Sequence, residues 1–133
     1  LCRAILKRIP MPLAAVKNQR SLIYIENLVS AVVAAVERTN SGFEVFTLSD
    51  ICLSTPELIS ALAKALGRRA YLFPFPIGLL KVLAATINKS SEFARLTGSL
   101  VVDSSDAHSK LGWTPEISFT QAVQLTGASY SNE

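Results

Sequence analysis

Apolar and polar positions change period several times along the chain, and the changes mark out its elements. Leu1 to Ile9 carries Ala4, Ile5 and Ile9 at helical spacing, with Lys7 and Arg8 placed as at a helix C-terminus. Pro10 and Pro12 stop it, and Pro12 to Val16 is expected as a short extended segment on a sheet edge. Ser21 to Ile25 is rich in β-branched and aromatic residues, which predicts a strand. Leu28, Val29, Val32, Val33 and Val36 then form the clearest apolar stripe in the sequence, predicting a helix capped by Glu26-Asn27 and buried along those five side chains.

Asn40-Ser41-Gly42 reads as a turn, and Phe43 to Leu48 as a strand with Phe43, Val45 and Thr47 on one face. Ser54-Thr55-Pro56-Glu57 is a strong helix start: a capping hydroxyl, proline in the first turn and a glutamate three residues after the serine. Leu58, Ile59, Leu62 and Leu66 make the buried side of that helix, and Gly67 ends it. Tyr71 to Phe75 reads as a short strand with its aromatics in the core, followed by helices over Ile77–Ile87 and Ser91–Leu96. Asp103 to Asp106 forms a capping box for a helix through Leu111, with Gly112 as a left-handed terminator. A last helix buries Phe119, Ala122, Val123 and Leu125, and Tyr130 to Glu133 is expected to fray. The sum is a single α/β domain over residues 1–133, a small mixed sheet with several helices.

Composition narrows the chemistry. Half of the 133 residues are hydrophobic, enough for a core. The mean hydropathy is +0.36, high enough to expect surface that another domain or a partner subunit covers, a homodimer included. The net charge of +3 is too small to argue for nucleic acid, and none is expected as a partner. Arg3, Lys7, Arg8, Lys17 and Arg20 all precede the first acid, Glu26. That basic start either faces an anionic ligand or is a solvated helix end. Cys2 and Cys52 are too few for a disulfide framework or a metal site, so reduced cytoplasmic thiols are expected. His108 is the only histidine, which removes most metal-binding and histidine-based catalytic schemes. No signal peptide is visible, and a start at Leu-Cys-Arg is expected to be internal. Leu72 to Ile87 is interrupted by Pro74, Pro76 and Lys81, so no membrane span is expected.

Arg20 stands at the mouth of the strand–helix unit, where a guanidinium suits bidentate capture of a phosphate. A surface ion pair with a nearby carboxylate is the alternative. The run Arg20-Ser21-Leu22-Ile23-Tyr24-Ile25-Glu26-Asn27-Leu28 fits Arg-x-x-x-Tyr-(Ile/Val)-x-(Asp/Asn)-Leu. Near the other end, Asp103-Ser104-Ser105 precedes Lys110-Leu111-Gly112-Trp113-Thr114-Pro115. In order and spacing these segments resemble the C-terminal, substrate-binding part of the extended short-chain dehydrogenase/reductases, the NAD-dependent epimerases and dehydratases of nucleotide sugars.

The resemblance implies a UDP-sugar ligand, with Arg20 on the diphosphate and the backbone of Leu13 and Ala14 on the base. It implies a second diphosphate contact from Arg95, although Ser99 stands where many relatives carry an acid for the ribose. It also implies an N-terminal Rossmann domain holding NAD, with a Tyr-x-x-x-Lys pair for the proton. This chain has neither that pair nor a repeated glycine fingerprint, so no catalytic residue and no cofactor is assigned to it. The expectation is the substrate-binding domain of a UDP-glucose 4-epimerase-like enzyme of surface-polysaccharide synthesis. Epimerase, reductase and dehydratase stay open, as does the sugar. The rival from another class is a non-catalytic α/β module whose basic first segment binds a protein or an anionic polymer.

Overall fold

Seven helices and one small sheet make up the described residues, which in this computed structural model are 1–38, 42–86 and 88–131. The sheet pairs β1 (Arg20–Leu22) antiparallel with β2 (Ile51–Leu53), Arg20 opposite Leu53. Leu100 joins the other side of β1 through a parallel bridge to Arg20, with Ser21 N–H donating to Leu100 O at 2.7 Å. Arg20 thus has a neighbouring chain on each side, and its backbone is fixed.

The larger core gathers α1 (Cys2–Leu6), the 11–16 turn, α3 (Thr55–Ala65) and α7 (Phe119–Ser131) around Ile5, Leu13, Ile59, Leu62 and Val123. As its sequence predicts, α3 opens with a complete capping box. The Ser54 hydroxyl accepts from Glu57 N–H, and the Glu57 carboxylate accepts from Ser54 N–H at 2.7 Å. Gly67 closes the helix at φ +61°, in the left-handed region where a β-carbon is costly. α7 can lie close to α3 because of Gly127: a β-carbon there would stand 3.0 Å from the Ala65 side chain and 3.1 Å from its backbone.

The smaller core holds Ala31, Ala107 and Trp113, between α2 (Ile25–Glu37) and α6 (Ser105–Leu111). Here the structure corrects the expected face of α2. Asn27 and Ala31 are buried, whereas Val29 is 55% exposed and Val36 78%, with Val32 and Val33 exposed between them. The small Ala31 and Ala34 let the helix approach the Trp113 cluster, and the buried Asn27 has all its bonds supplied. Apolar periodicity alone selects the opposite face. Nor do Glu26 and Asn27 cap the helix. Its N-cap is Tyr24, whose N–H donates to Asp50 Oδ2 at 2.8 Å.

Further expectations are corrected. The second strand lies at 51–53, while 43–49 is irregular, with Phe43 91% exposed and Phe46 and Leu48 turned toward the smaller core. The 12–15 stretch is a run of turns, because the sheet pairing there is reduced to one parallel bridge between Met11 and Leu72. Around that bridge, Tyr71 and Phe73 are exposed and Leu72 packs inward, reversing the expected phase. The expected capping box of α6 is replaced by a tighter local turn, in which Asp103 Oδ1 accepts from Ser105 N–H at 2.9 Å. Gly112 does end that helix at φ +64°. Leu125, expected on the buried side of α7, is exposed. Thr39, Asn40, Ser41, Ile87, Asn132 and Glu133 fall outside the described residues, and with them most of the predicted 40–42 turn and the last two positions expected to fray. α4 (Ile77–Thr86) and α5 (Ser90–Thr97) complete the fold as a helix pair beside the sheet.

Candidate functional site

The C-terminal end of α5 is where the charged candidates meet, and a buried asparagine puts it there. Asn18, just ahead of β1, donates from Nδ2 to Gly98 O at 3.0 Å and to Leu96 O at 3.3 Å. The same side chain accepts from Thr55 N–H at 2.9 Å and donates to the Thr55 hydroxyl at 3.0 Å, and that hydroxyl donates to Leu96 O at 2.7 Å. The start of α3 and the end of α5 are therefore joined through residues on the approach to β1. A β-carbon at Gly98 would lie 2.6 Å from Ala94 O, so this closing turn requires glycine.

Arg20 leans on the same place. Its guanidinium donates to Arg95 O and, at 3.4 Å, to Gly98 O. These partners are main-chain carbonyls, which leave the cation's charge unneutralised, in contrast to an ion pair. Arg95 is exposed in the last turn of α5. Arg20 and Arg95, 75 residues apart in sequence, line one hollow of about 100 Å³ together with Leu53, Ser54, Thr55 and Leu96. The structure thus brings together the two expected diphosphate residues.

On the other flank of the α5 terminus lies a larger cleft, about 610 Å³. Lys17, Asn18, Lys81, Thr97, Gly98 and Ser99 are among its lining. Its cations, Lys17 and Lys81, are both exposed, and among the described residues no acid lines it. Ser99, at the position where the resembled family has an acid, accepts from Gln19 N–H at 3.1 Å. A ligand bridging the two hollows would meet four cations and a row of backbone and hydroxyl groups.

Leu13 and Ala14 lie apart from both hollows. Leu13 is buried in the larger core and its carbonyl accepts from Val16 N–H at 3.1 Å, while Ala14 N–H donates to Phe73 O at 3.3 Å. Those two backbone groups are engaged within the protein, so a base contact would draw on the Leu13 N–H and the Ala14 carbonyl.

The two sequence segments that carry the family resemblance are also held near each other, by a second asparagine and by residues just beyond each segment. Asn27 Nδ2 donates to Asp50 Oδ2 at 2.7 Å and to Ile117 O at 2.8 Å, and its Oδ1 accepts from Ile117 N–H at 2.9 Å. Beside it the Trp113 indole N–H donates to the Ser30 hydroxyl at 2.9 Å. The Tyr-Ile-Glu-Asn segment and the Leu-Gly-Trp segment are halves of one structural clamp. His108 belongs to it too, stacked on Trp113 with ring centroids 5.5 Å apart and Nδ1 2.7 Å from Trp113 O.

The turn from β1 into α2 is Ile23-Tyr24 and the one from β2 into α3 is Ser54, so neither strand–helix junction carries the glycine that a close pyrophosphate approach needs. Among the described residues no group of three His, Cys, Asp or Glu side chains is placed to hold a metal.

The chain is 34% identical, over 132 residues, to a UDP-glucose 4-epimerase of Vibrio cholerae. It is similar to part of that enzyme. The match takes in 98% of this chain but spans only 40% of that enzyme's length. No family model matches the chain, and no solved structure matches it.

Proposed function

We propose that this chain is the nucleotide-sugar-binding part of an NAD-dependent UDP-sugar 4-epimerase, or of a close epimerase or dehydratase relative, acting in surface-polysaccharide synthesis. The observation that carries the reading is the convergence of Arg20 and Arg95 on one hollow, in a chain with one-third identity to an epimerase. The two guanidinium groups hold the diphosphate; the larger cleft beside them takes another part of the ligand, with Leu13 and Ala14 offering backbone contacts to the base. Hydride chemistry at the sugar is supplied by NAD when bound to a Rossmann domain N-terminal to this one. The part played by this chain is affinity and orientation, since binding energy from the nucleotide end positions the reacting carbon.

The test is an NMR titration with UDP, UDP-glucose and inorganic phosphate. The proposal expects UDP to bind weakly yet better than phosphate, shifting the amides of Arg20, Arg95 and Gly98, and Arg20→Ala to remove the preference. Equal binding of UDP and phosphate overturns it. A salt-sensitive preference for heparin-like polymers, centred on Arg3, Lys7 and Arg8, would favour the non-catalytic module instead.

A further inference from the structure

More positive charge surrounds the end of α5 than a diphosphate needs. Arg20 and Arg95 offer one guanidinium to each phosphate in the smaller hollow. Lys17 and Lys81 line the larger cleft, carried there by two other elements, the approach to β1 and α4. Among the described residues neither lysine has a hydrogen-bond or ion-pair partner. The α5 terminus does not call for them: the carbonyls of Arg95, Leu96 and Gly98 are already met by Arg20, Asn18 and Thr55. The acids of α3 and α5 are engaged as well. Glu57 closes the α3 cap on Ser54. The Glu92 carboxyl is held below its ordinary value by its own backbone N–H and the Ser91 hydroxyl, and then by Lys89 and Arg95. Neither carboxylate lines the cleft.

Gly98 joins the two hollows, lining the cleft while its carbonyl accepts from Arg20 at 3.4 Å. A ligand held by the guanidinium pair therefore extends into the cleft. There it meets the half-buried ring of Phe93 and the hydroxyl of Ser99, whose oxygen accepts from Gln19 N–H while its own proton has no acceptor among the described residues. An aromatic ring beside a hydroxyl donor suits the C–H face and the oxygens of a pyranose. In a UDP-sugar the base and the ribose are neutral, so the one part besides the diphosphate that can answer two ammonium groups is the sugar. We propose that the cleft takes an anionic sugar, a hexuronate, whose carboxylate meets Lys17 and Lys81 while the diphosphate meets Arg20 and Arg95. This rests on the nucleotide-sugar reading and narrows its substrate class.

NMR titration of the chain with inorganic phosphate, UDP, UDP-glucose and UDP-glucuronate tests it. The expected result is UDP-glucuronate bound about threefold or more tighter than UDP-glucose, a margin that shrinks as salt is raised. The carboxylate should add shifts at the Lys17 and Lys81 amides beyond those that UDP-glucose gives. Lys17→Met with Lys81→Met should bring the two UDP-sugars level while UDP still binds better than phosphate. Lys7→Met with Lys64→Met removes the same charge away from the cleft and should keep the margin. All four lysines are exposed, and the spectra themselves verify folding. If UDP binds better than phosphate but the two UDP-sugars bind alike, the uronate assignment fails and the nucleotide reading stands. If UDP and phosphate bind alike, both fail. A margin that survives loss of Lys17 and Lys81, or disappears with Lys7 and Lys64, also overturns the assignment.

Discussion

Asn18 and Thr55 are bonded twice, the asparagine amide accepting from the Thr55 backbone N–H and donating to the Thr55 hydroxyl. Both residues are buried, and the same pair holds the carbonyls of Leu96 and Gly98. Asn18→Ala leaves several buried polar groups without partners at once. It should cost about 2–3 kcal/mol in urea unfolding, at about 1–3 kcal/mol for an unmet buried group. Thr55→Val keeps the backbone bond and should cost less.

Asn27→Asp probes the second clamp. It replaces a donor 2.7 Å from Asp50 Oδ2 by a second carboxylate. Two carboxylates in contact cannot both stay ionised, so one pKa rises. The folded state of the variant then binds a proton that the unfolded chain releases near neutral pH. Its stability deficit should therefore be largest near pH 7 and shrink on acidification toward pH 5, whereas the parent chain shows no such recovery. Melting temperatures across that range measure it.

The α3 cap makes an opposite pH prediction. The Ser54 backbone N–H, followed by its side chain, holds the Glu57 carboxyl below its ordinary value of 4.5. A carboxyl lowered in the folded state stabilises above its unfolded pKa, and that contribution is lost as pH falls through the lowered value. Glu57→Gln should lower stability at neutral pH and flatten the profile below about pH 4.5, the deficit fading as pH falls. Ser54→Ala should cost about 1 kcal/mol at neutral pH.

Gly127→Val tests the approach of α3 and α7. The added β-carbon meets Ala65 backbone as well as side chain, and backbone cannot rotate away. Despite valine's better helix propensity, overpacking of about 1–3 kcal/mol should dominate. A lowered melting temperature is the readout.

Arg20→Lys separates charge from shape. Lysine keeps the cation but loses the planar fork that reaches two acceptors. Unfolding should change little, since lysine can still donate to one of the two carbonyls that Arg20 meets. UDP affinity should fall about tenfold, a loss of about 1.4 kcal/mol, as expected for a charge-assisted bidentate contact reduced to a point charge.

Much of this was legible before the structure, though unevenly. The capped start of α3 and the glycine ends at Gly67 and Gly112 follow from local chemistry. Asn18 was not legible, because nothing distinguishes a buried asparagine from a surface one until its partners, 37 to 80 residues away, are placed. The α2 face was misjudged for a related reason. Periodicity measures apolarity, and here the helix is seated by a bonded polar side chain and two alanines. The same inversion occurs at Phe43–Leu48 and Tyr71–Phe73, where bulky residues lie outward and their neighbours inward.

The bare valines of α2 also bear on how this chain behaves in a tube. A ridge of branched hydrocarbon standing in water makes concentrated samples sticky, increasingly so as kosmotropic salts strengthen apolar association. Ammonium sulfate should cloud the chain early. A glutamate at Val36, the barest of the ridge, should keep it clear to higher concentrations without touching either core.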